Sequence, residues 1–273
     1  MSIVQTHLSD RALLCLSGAD REDFLQNLVT QNVVALPEGQ CAMSALLTPQ
    51  GKVLYDFLIY PQADYYLIDC AAADAAALTK KLSLYKLRAD VTLNDSALQV
   101  YALWQEDGLP CPPMAGFTDD PRHAGLGLRG VFDTAPDIAL PQAGLAQWHA
   151  NRIKLGVPQG PDDMPAGTVF PLEFGFQHMQ AIDFQKGCFI GQEVTSRTHR
   201  KGSLRKKLHS VRLDGPPVEA PADIMAGERI VGQMVAVDGA NGLAIIREDA
   251  LALTLMRGPT RIQPVGGLFS ENA

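Results

Sequence analysis

Short alternations of apolar and polar positions, cut by Gly, Pro and Asp clusters, run through residues 11–104 and predict a strand-rich N-terminal half. Residues 11–16 read as a strand. Ser17-Gly18-Ala19-Asp20 reads as a turn into a helix, with Phe24, Leu25, Leu28 and Val29 at helical spacing. Segments 42–47 and 53–60 are paired strands joined at Thr48-Pro49-Gln50-Gly51, where Pro presets the first corner and Gly closes it. A turn at 61–64 leads to a strand at 65–69. Residues 71–87 are Ala-rich, with Leu78, Leu82 and Tyr85 on one helical face. Further strands are predicted at 91–93 and 98–104.

The pattern then changes. Segments 108–117 and 156–171 are rich in Pro and Gly and suit long surface connections. Residues 214–221 hold three prolines and one glycine and read as the best linker. Beyond them, 230–237 and 243–246 are β-like and flank Asp238-Gly239-Ala240-Asn241-Gly242, a hairpin signal because Asp-Gly and Asn-Gly accept positive φ. The fold class is therefore α+β, an α+β body followed by a small all-β module. The expected domains are 1–205 and 206–273.

Composition narrows the function classes. In 273 residues, 23 Lys and Arg face 30 Asp and Glu, a net charge of −7 that provides no general attraction for nucleic acid or anionic lipid. No apolar run reaches the roughly 18 residues of a membrane span; 53–60 is short and carries Asp56. The first ten residues resemble neither a signal sequence nor an Arg-rich transit peptide, so a soluble, cytoplasmic protein is expected, with no direct nucleic-acid or membrane partner. The five cysteines, 15, 41, 70, 111 and 188, are odd in number and lack a Cys-x-x-Cys pair. That argues against a disulfide framework, a zinc site or a self-contained iron–sulfur cluster. Cys15 and Cys70 sit among apolar residues and read as small core residues.

The densest chemistry lies at 183–202. Cys188 stands between Gly187 and Gly191, beside Lys186 and ahead of Gln192 and Glu193. Flanking glycines permit close approach of another molecule, and a neighbouring ammonium favours thiolate. A buried structural cysteine fits the same residues, and both readings stand. From 186 to 207 seven cations (Lys186, Arg197, Arg200, Lys201, Arg205, Lys206, Lys207) face one acid, Glu193. This is either a solvated face or a site for an anionic ligand or acidic partner. His149, His178, His199 and His209 could serve as a base to the thiol, but their sequence positions place none of them beside it.

Phe170-Pro-Leu-Glu173, then Lys186-Gly-Cys-Phe-Ile-Gly-Gln-Glu193 and Arg197, resembles the signature of YgfZ-type folate-binding proteins, relatives of mitochondrial proteins that assist iron–sulfur cluster maturation. The pieces 14–20, 24–26, 46–52 and Tyr85-Lys-Leu-Arg88 match in order. Such proteins are similar in fold to the T-protein (aminomethyltransferase) of the glycine-cleavage system. The resemblance implies two body subdomains and a small C-terminal β-barrel-like domain around a central opening for tetrahydrofolate.

It further implies a folate-binding accessory factor for assembly or repair of four-iron clusters, with Cys188 as functional thiol and shared ligand of a transient cluster. An A-type iron–sulfur carrier is the implied partner. The ligand-binding residues would be Asp56, Lys186, Gly187, Gly191, Gln192, Glu193 and Arg197. A folate-dependent one-carbon (aminomethyl) transferase and a factor supporting tRNA modification through iron–sulfur enzymes remain the alternatives, so enzymatic turnover stays open. Two departures oppose the transferase. Where the T-protein has adjacent aspartates this chain has Tyr55-Asp56, and where it has a pterin-binding carboxylate this chain has Lys154.

Overall fold

The computed structural model describes residues 2–266. The first elements are β1 (Ile3–His7), β2 (Arg11–Ser17), α1 (Arg21–Gln26), β3 (Ala42–Leu47), β4 (Val53–Pro61), β5 (Tyr65–Ala71), α2 (Ala75–Lys86), β6 (Thr92–Ser96) and β7 (Gln99–Gln105). After them come β8 (Thr118–Asp119), β9 (Leu128–Phe132), α3 (Leu145–Lys154) and α4 (Gln192–Lys201). The chain then forms β10 (Lys206–Asp214), β11 (Ala222–Ala226), β12 (Arg229–Asp238), β13 (Asn241–Arg247), β14 (Leu255–Arg257) and β15 (Thr260–Gly266).

Three sheets result among the described residues. An antiparallel sheet of order β3-β4-β5-β2-β6 packs one face on α1 and α2 through Leu14, Leu16, Phe24, Leu25, Phe57, Leu78 and Leu82. Its other face shares a core with the sheet β1-β7-β9-β8, in which Trp104 and Trp148 meet edge to face at 6.3 Å. The third sheet, β10-β13-β12-β11-β14-β15, closes into a barrel with its own core around Ile224, Met234, Ile246 and Leu255. Leu208, Ala236, Leu243 and Ile245 on the barrel join the main core, where Trp148 and Ile153 of α3 also lie.

Local expectations hold where turn chemistry is strong. The β3–β4 hairpin closes at Thr48–Gly51, with Gly51 at φ 78°. The β12–β13 hairpin turns at Gly239-Ala240 between the paired Asp238 and Asn241. Elsewhere tertiary structure overrides them. The first helix stops at Gln26, because Val29 bridges to Leu46 and the Thr30 N–H donates to the Ala45 carbonyl. Residues 71–87 shorten to α2 because Ala71 completes β5 opposite Arg11. The presumed linker 214–221 lies inside the barrel: it connects β10 to β11, buries Val218 in the barrel core, and its Pro216 carbonyl accepts from the Thr260 hydroxyl at 2.6 Å. Prolines suit a sharp return between strands as well as they suit a linker. Among the described residues no helix is long and apolar enough to cross a membrane.

Candidate functional site: an exposed thiol on a pinned loop

The Cys188 loop is built by anchoring its flanks and leaving its tip in solvent. On the N-terminal side Asp183 Oδ1 accepts from the backbone N–H groups of Gln185 (2.7 Å) and Lys186 (3.1 Å), while the Asp183 N–H donates to the Thr30 carbonyl at 3.0 Å. Lys186 then turns inward. It is 6% exposed, and its Nζ donates to the carbonyls of Val29 (2.7 Å) and Gln31 (2.6 Å), 5.6 Å from the Phe189 ring centroid. On the C-terminal side Phe189 is buried in the main core, and Gln192 Nε2 reaches back to the Gly187 carbonyl at 3.4 Å. Gly187 and Cys188 are exposed between these anchors.

Gly191 ends the loop at φ 80° and starts α4. A side chain there would strike the β3–β4 turn, its Cβ 2.6 Å from the Thr48 carbonyl oxygen. Its carbonyl accepts from the Thr195 hydroxyl at 3.1 Å. Glu193 and Arg197 on α4 are exposed. Of the expected ligand residues, then, Gly187, Gly191 and Gln192 shape the thiol loop, while Glu193 and Arg197 lie on the helix that follows. Lys186 instead braces the loop from inside. Burial lowers its pKa to about 8, and its hydrogens are engaged by carbonyls rather than offered to an anion or to Cys188.

Asp56 is likewise separate from the thiol loop. It lies buried on β4, where its Oδ1 accepts from the Gly160 N–H at 3.1 Å and fills the space a side chain at 160 would need. Burial pushes its pKa up, against the pull of Arg11 and Arg122. Nearby, Asp69 binds Arg11 (2.7 Å) and Arg129 (2.6 Å), and Asp120 binds Arg122 at 2.6 Å and Arg129 at 3.4 Å, all buried. Burial alone would raise Asp120, but Arg122 and Arg129 outweigh it and hold the carboxyl at about 2. This network joins β2, β5 and β9 to the 120–122 turn. Sequence reasoning missed it, although Asp69 and Arg129 stand in otherwise apolar strands, and a charge at such a position was the available signal.

A groove of about 550 Å³ opens beside the thiol loop's N-terminal anchor, lined by Gln31, Met43, Gln180, Asp183, Phe184 and His199 among others. Phe184 and His199 stack at 3.9 Å and 11°, and His199 Nδ1 lies 3.1 Å from Gln177 Oε1. A neighbouring opening of about 640 Å³, lined by Phe117, Asp119 and Pro121, meets it at Gln40, Cys41 and Gln180. Burial drives the Cys41 thiol far above the usual range, so it serves as a neutral wall. Neither of these two openings is lined by Asp56 or Lys186.

The basic stretch is partly spent inside the fold. Lys206 lies 3.4 Å from Glu173, tying the barrel to the Pro171–Phe174 turn, and Lys207 pairs with Glu248 at 3.0 Å. Arg200, Lys201 and Arg205 are exposed. Cys70 is buried, with its thiol pushed up to about 12, whereas Cys15 is half-buried at the margin of the main core.

Two sheets sharing a core with a closed barrel docked on them define an aminomethyltransferase-type fold. The structure is similar to the crystal structure of the glycine cleavage system aminomethyltransferase T from Bartonella henselae, with TM-score 0.77 over 98% of this chain and 86% of that one. Sequence identity there is 14%, a likeness of fold alone. Residues 205–265 match the C-terminal β-barrel domain of CAF17. The chain is 33% identical to the mitochondrial iron–sulfur cluster assembly factor IBA57 of Mus musculus, over 94% of this chain and 79% of that protein. It is 31% identical to the Homo sapiens counterpart, over 95% and 80%. The chain belongs to the IBA57 family of iron–sulfur cluster assembly factors.

That family is of the same broad class as the YgfZ-type proteins, and it replaces the narrower YgfZ assignment. The cytoplasmic location expected from the first ten residues is also overturned, since the relatives are mitochondrial proteins. Compartment is not written into the composition of a folded domain.

Proposed function

We propose that this chain is an accessory factor in iron–sulfur cluster assembly, as its family membership supports, and that Cys188 is its working thiol. The observation that carries the second part is the loop itself: an exposed cysteine held at a fixed place by Lys186, Asp183 and Phe189. A thiolate is a soft ligand suited to iron and to iron–sulfur clusters. Among the described residues no three His, Cys, Asp or Glu gather to hold a metal, so in this reading Cys188 contributes one ligand and a carrier protein of the A type contributes the rest. The cluster, four-iron in the finished client, is cargo.

Tetrahydrofolate belongs to the same proposal, in the groove rather than on Asp56 and Lys186. The Phe184–His199 stack offers a flat wall, and the exposed Gln180 side chain can both donate and accept hydrogen bonds there. No step is assigned to the folate.

The test is transfer of a cluster from a purified A-type carrier to a four-iron acceptor apoprotein, with and without this chain and tetrahydrofolate. The wild type should accelerate transfer and the folded Cys188→Ser variant should not. Equal transfer by the two proteins would remove Cys188 from the mechanism.

A further inference from the structure

Helix α4, which begins four residues after Cys188, has two unlike sides. At 3.6 residues per turn, Glu193, Arg197, Arg200 and Lys201 fall within about 100° of its circumference, and all four are exposed. Thr195, buried, and His199, which lines the groove, lie on the other side. The outer face is therefore a stripe of three cations with one acid at the end nearest the thiol loop, in a chain of net charge −7.

Among the described residues Arg197, Arg200 and Lys201 form no ion pair. Acids on the flanking elements are already engaged: Glu173 lies 3.4 Å from Lys206, and Glu248 binds Lys207 and His209, each at 3.0 Å. The helix dipole favours cations in the last turn, which accounts for Arg200 and Lys201 but not for Arg197 in the middle.

The stripe lies where a partner of Cys188 must sit. In the reading proposed above the thiol shares a cluster with a second protein, and the present inference rests on that reading. A standard interface covers about 800 Å² on each partner, a disc of about 16 Å radius. α4 is about 15 Å long, so a partner seated on the thiol and toward the helix covers the stripe. The groove, on the other side of α4, is left to the folate.

We propose that the Arg197, Arg200 and Lys201 face of α4 docks the protein that shares the cluster with Cys188, and that this partner meets it with an acidic surface. Opposite charge there speeds encounter and fixes orientation over the thiol, whereas a basic surface would be repelled. The stripe exposes no aromatic or apolar side chain for stacking on bases or entering a bilayer, and the net charge of −7 opposes a polyanion.

The experiment follows association of the full chain with a purified, cluster-loaded A-type carrier by biolayer interferometry. Salt is set at about 0.1 M and about 1 M, where charges are screened over about 10 Å and about 3 Å. Wild type should associate about tenfold faster at the lower salt. The triple variant Arg197→Glu, Arg200→Glu, Lys201→Glu should be about tenfold slower than wild type there and converge with it at the higher salt. The variant Lys80→Glu, Lys86→Glu, Arg88→Glu changes the net charge equally on exposed residues remote in sequence from the thiol, and it should stay within about twofold of wild type. If the reversed α4 variant fails to fold, the neutral variant Arg197→Gln, Arg200→Gln, Lys201→Gln carries the test, with a slowing of about threefold. A salt-independent rate, an α4 variant as fast as wild type, or a control as slow as the α4 variant would each overturn the proposal while cluster transfer through Cys188 stood. So would an α4 variant that loses binding to cardiolipin vesicles or single-stranded RNA and keeps its carrier association. A wild type that binds no carrier at either salt would overturn the reading of Cys188 and this proposal with it.

Discussion

Gly51 and Gly191 face each other across the seam between the β3–β4 turn and the start of α4, with room for neither to carry a side chain. A Cβ on Gly191 would stand 3.0 Å from the Gly51 Cα, and one on Gly51 would stand 3.0 Å from the Val194 Cβ. Both have positive φ, 80° and 78°. Gly191→Ala should therefore cost about 2 kcal/mol or more, combining left-handed strain with a clash against the Thr48 carbonyl. Gly187→Ala, which meets nothing within 4 Å, should stay within about 0.5 kcal/mol. Urea midpoints of the two variants check the contrast; equal losses would mean that the seam does not set the loop's position.

Lys186→Met should act on stability and on the loop together. It leaves the Val29 and Gln31 carbonyls without their Nζ partner, a loss of about 1–3 kcal/mol for each buried group left unsatisfied. It should also free the segment before Cys188 and raise the proteolytic susceptibility and amide hydrogen exchange of residues 183–188. A variant as stable as wild type but defective in binding an anionic ligand would restore Lys186 to the ligand role.

Cys188 should be the first cysteine alkylated. It is exposed, whereas Cys70 is buried with its thiol pushed up to about 12 and burial raises Cys41 further still. Iodoacetamide labelling at pH 8 followed by peptide mapping gives the order directly. Labelling of Cys41 or Cys70 at the rate of Cys188 would contradict the loop geometry.

Asp56 sets a pH dependence with a definite sign. Its folded pKa lies above the ordinary 3.8, so between those values the folded state holds more protons than the unfolded state, and its contribution to stability falls as pH rises. Asp56→Asn keeps an acceptor for the Gly160 N–H without the charge. The stability of the variant minus that of wild type should therefore increase from pH 4 to pH 7 in urea unfolding. Parallel curves would show that Asp56 titrates normally in the fold.

What the sequence by itself determined was local. The Pro-Gln-Gly turn and the β12–β13 hairpin depend on backbone preferences of neighbouring residues, which here hold in the folded chain. The composition break at 214–221 pointed to a linker, whereas that segment joins two barrel strands and buries Val218. Tertiary structure alone decided the partners of charged side chains. Lys186 next to Cys188 in sequence suggested an activating ammonium, but its hydrogen-bond partner Val29 is 157 residues away, reached only after the 176–190 segment folds against β3. Asp56 became a buried acceptor for Gly160, 104 residues on, by the same route. Asp69 and Arg129, 60 residues apart, found each other because two sheets share one core. A buried charge must be matched wherever the chain brings it, and that place depends on the packing of the whole body rather than on the few residues on either side.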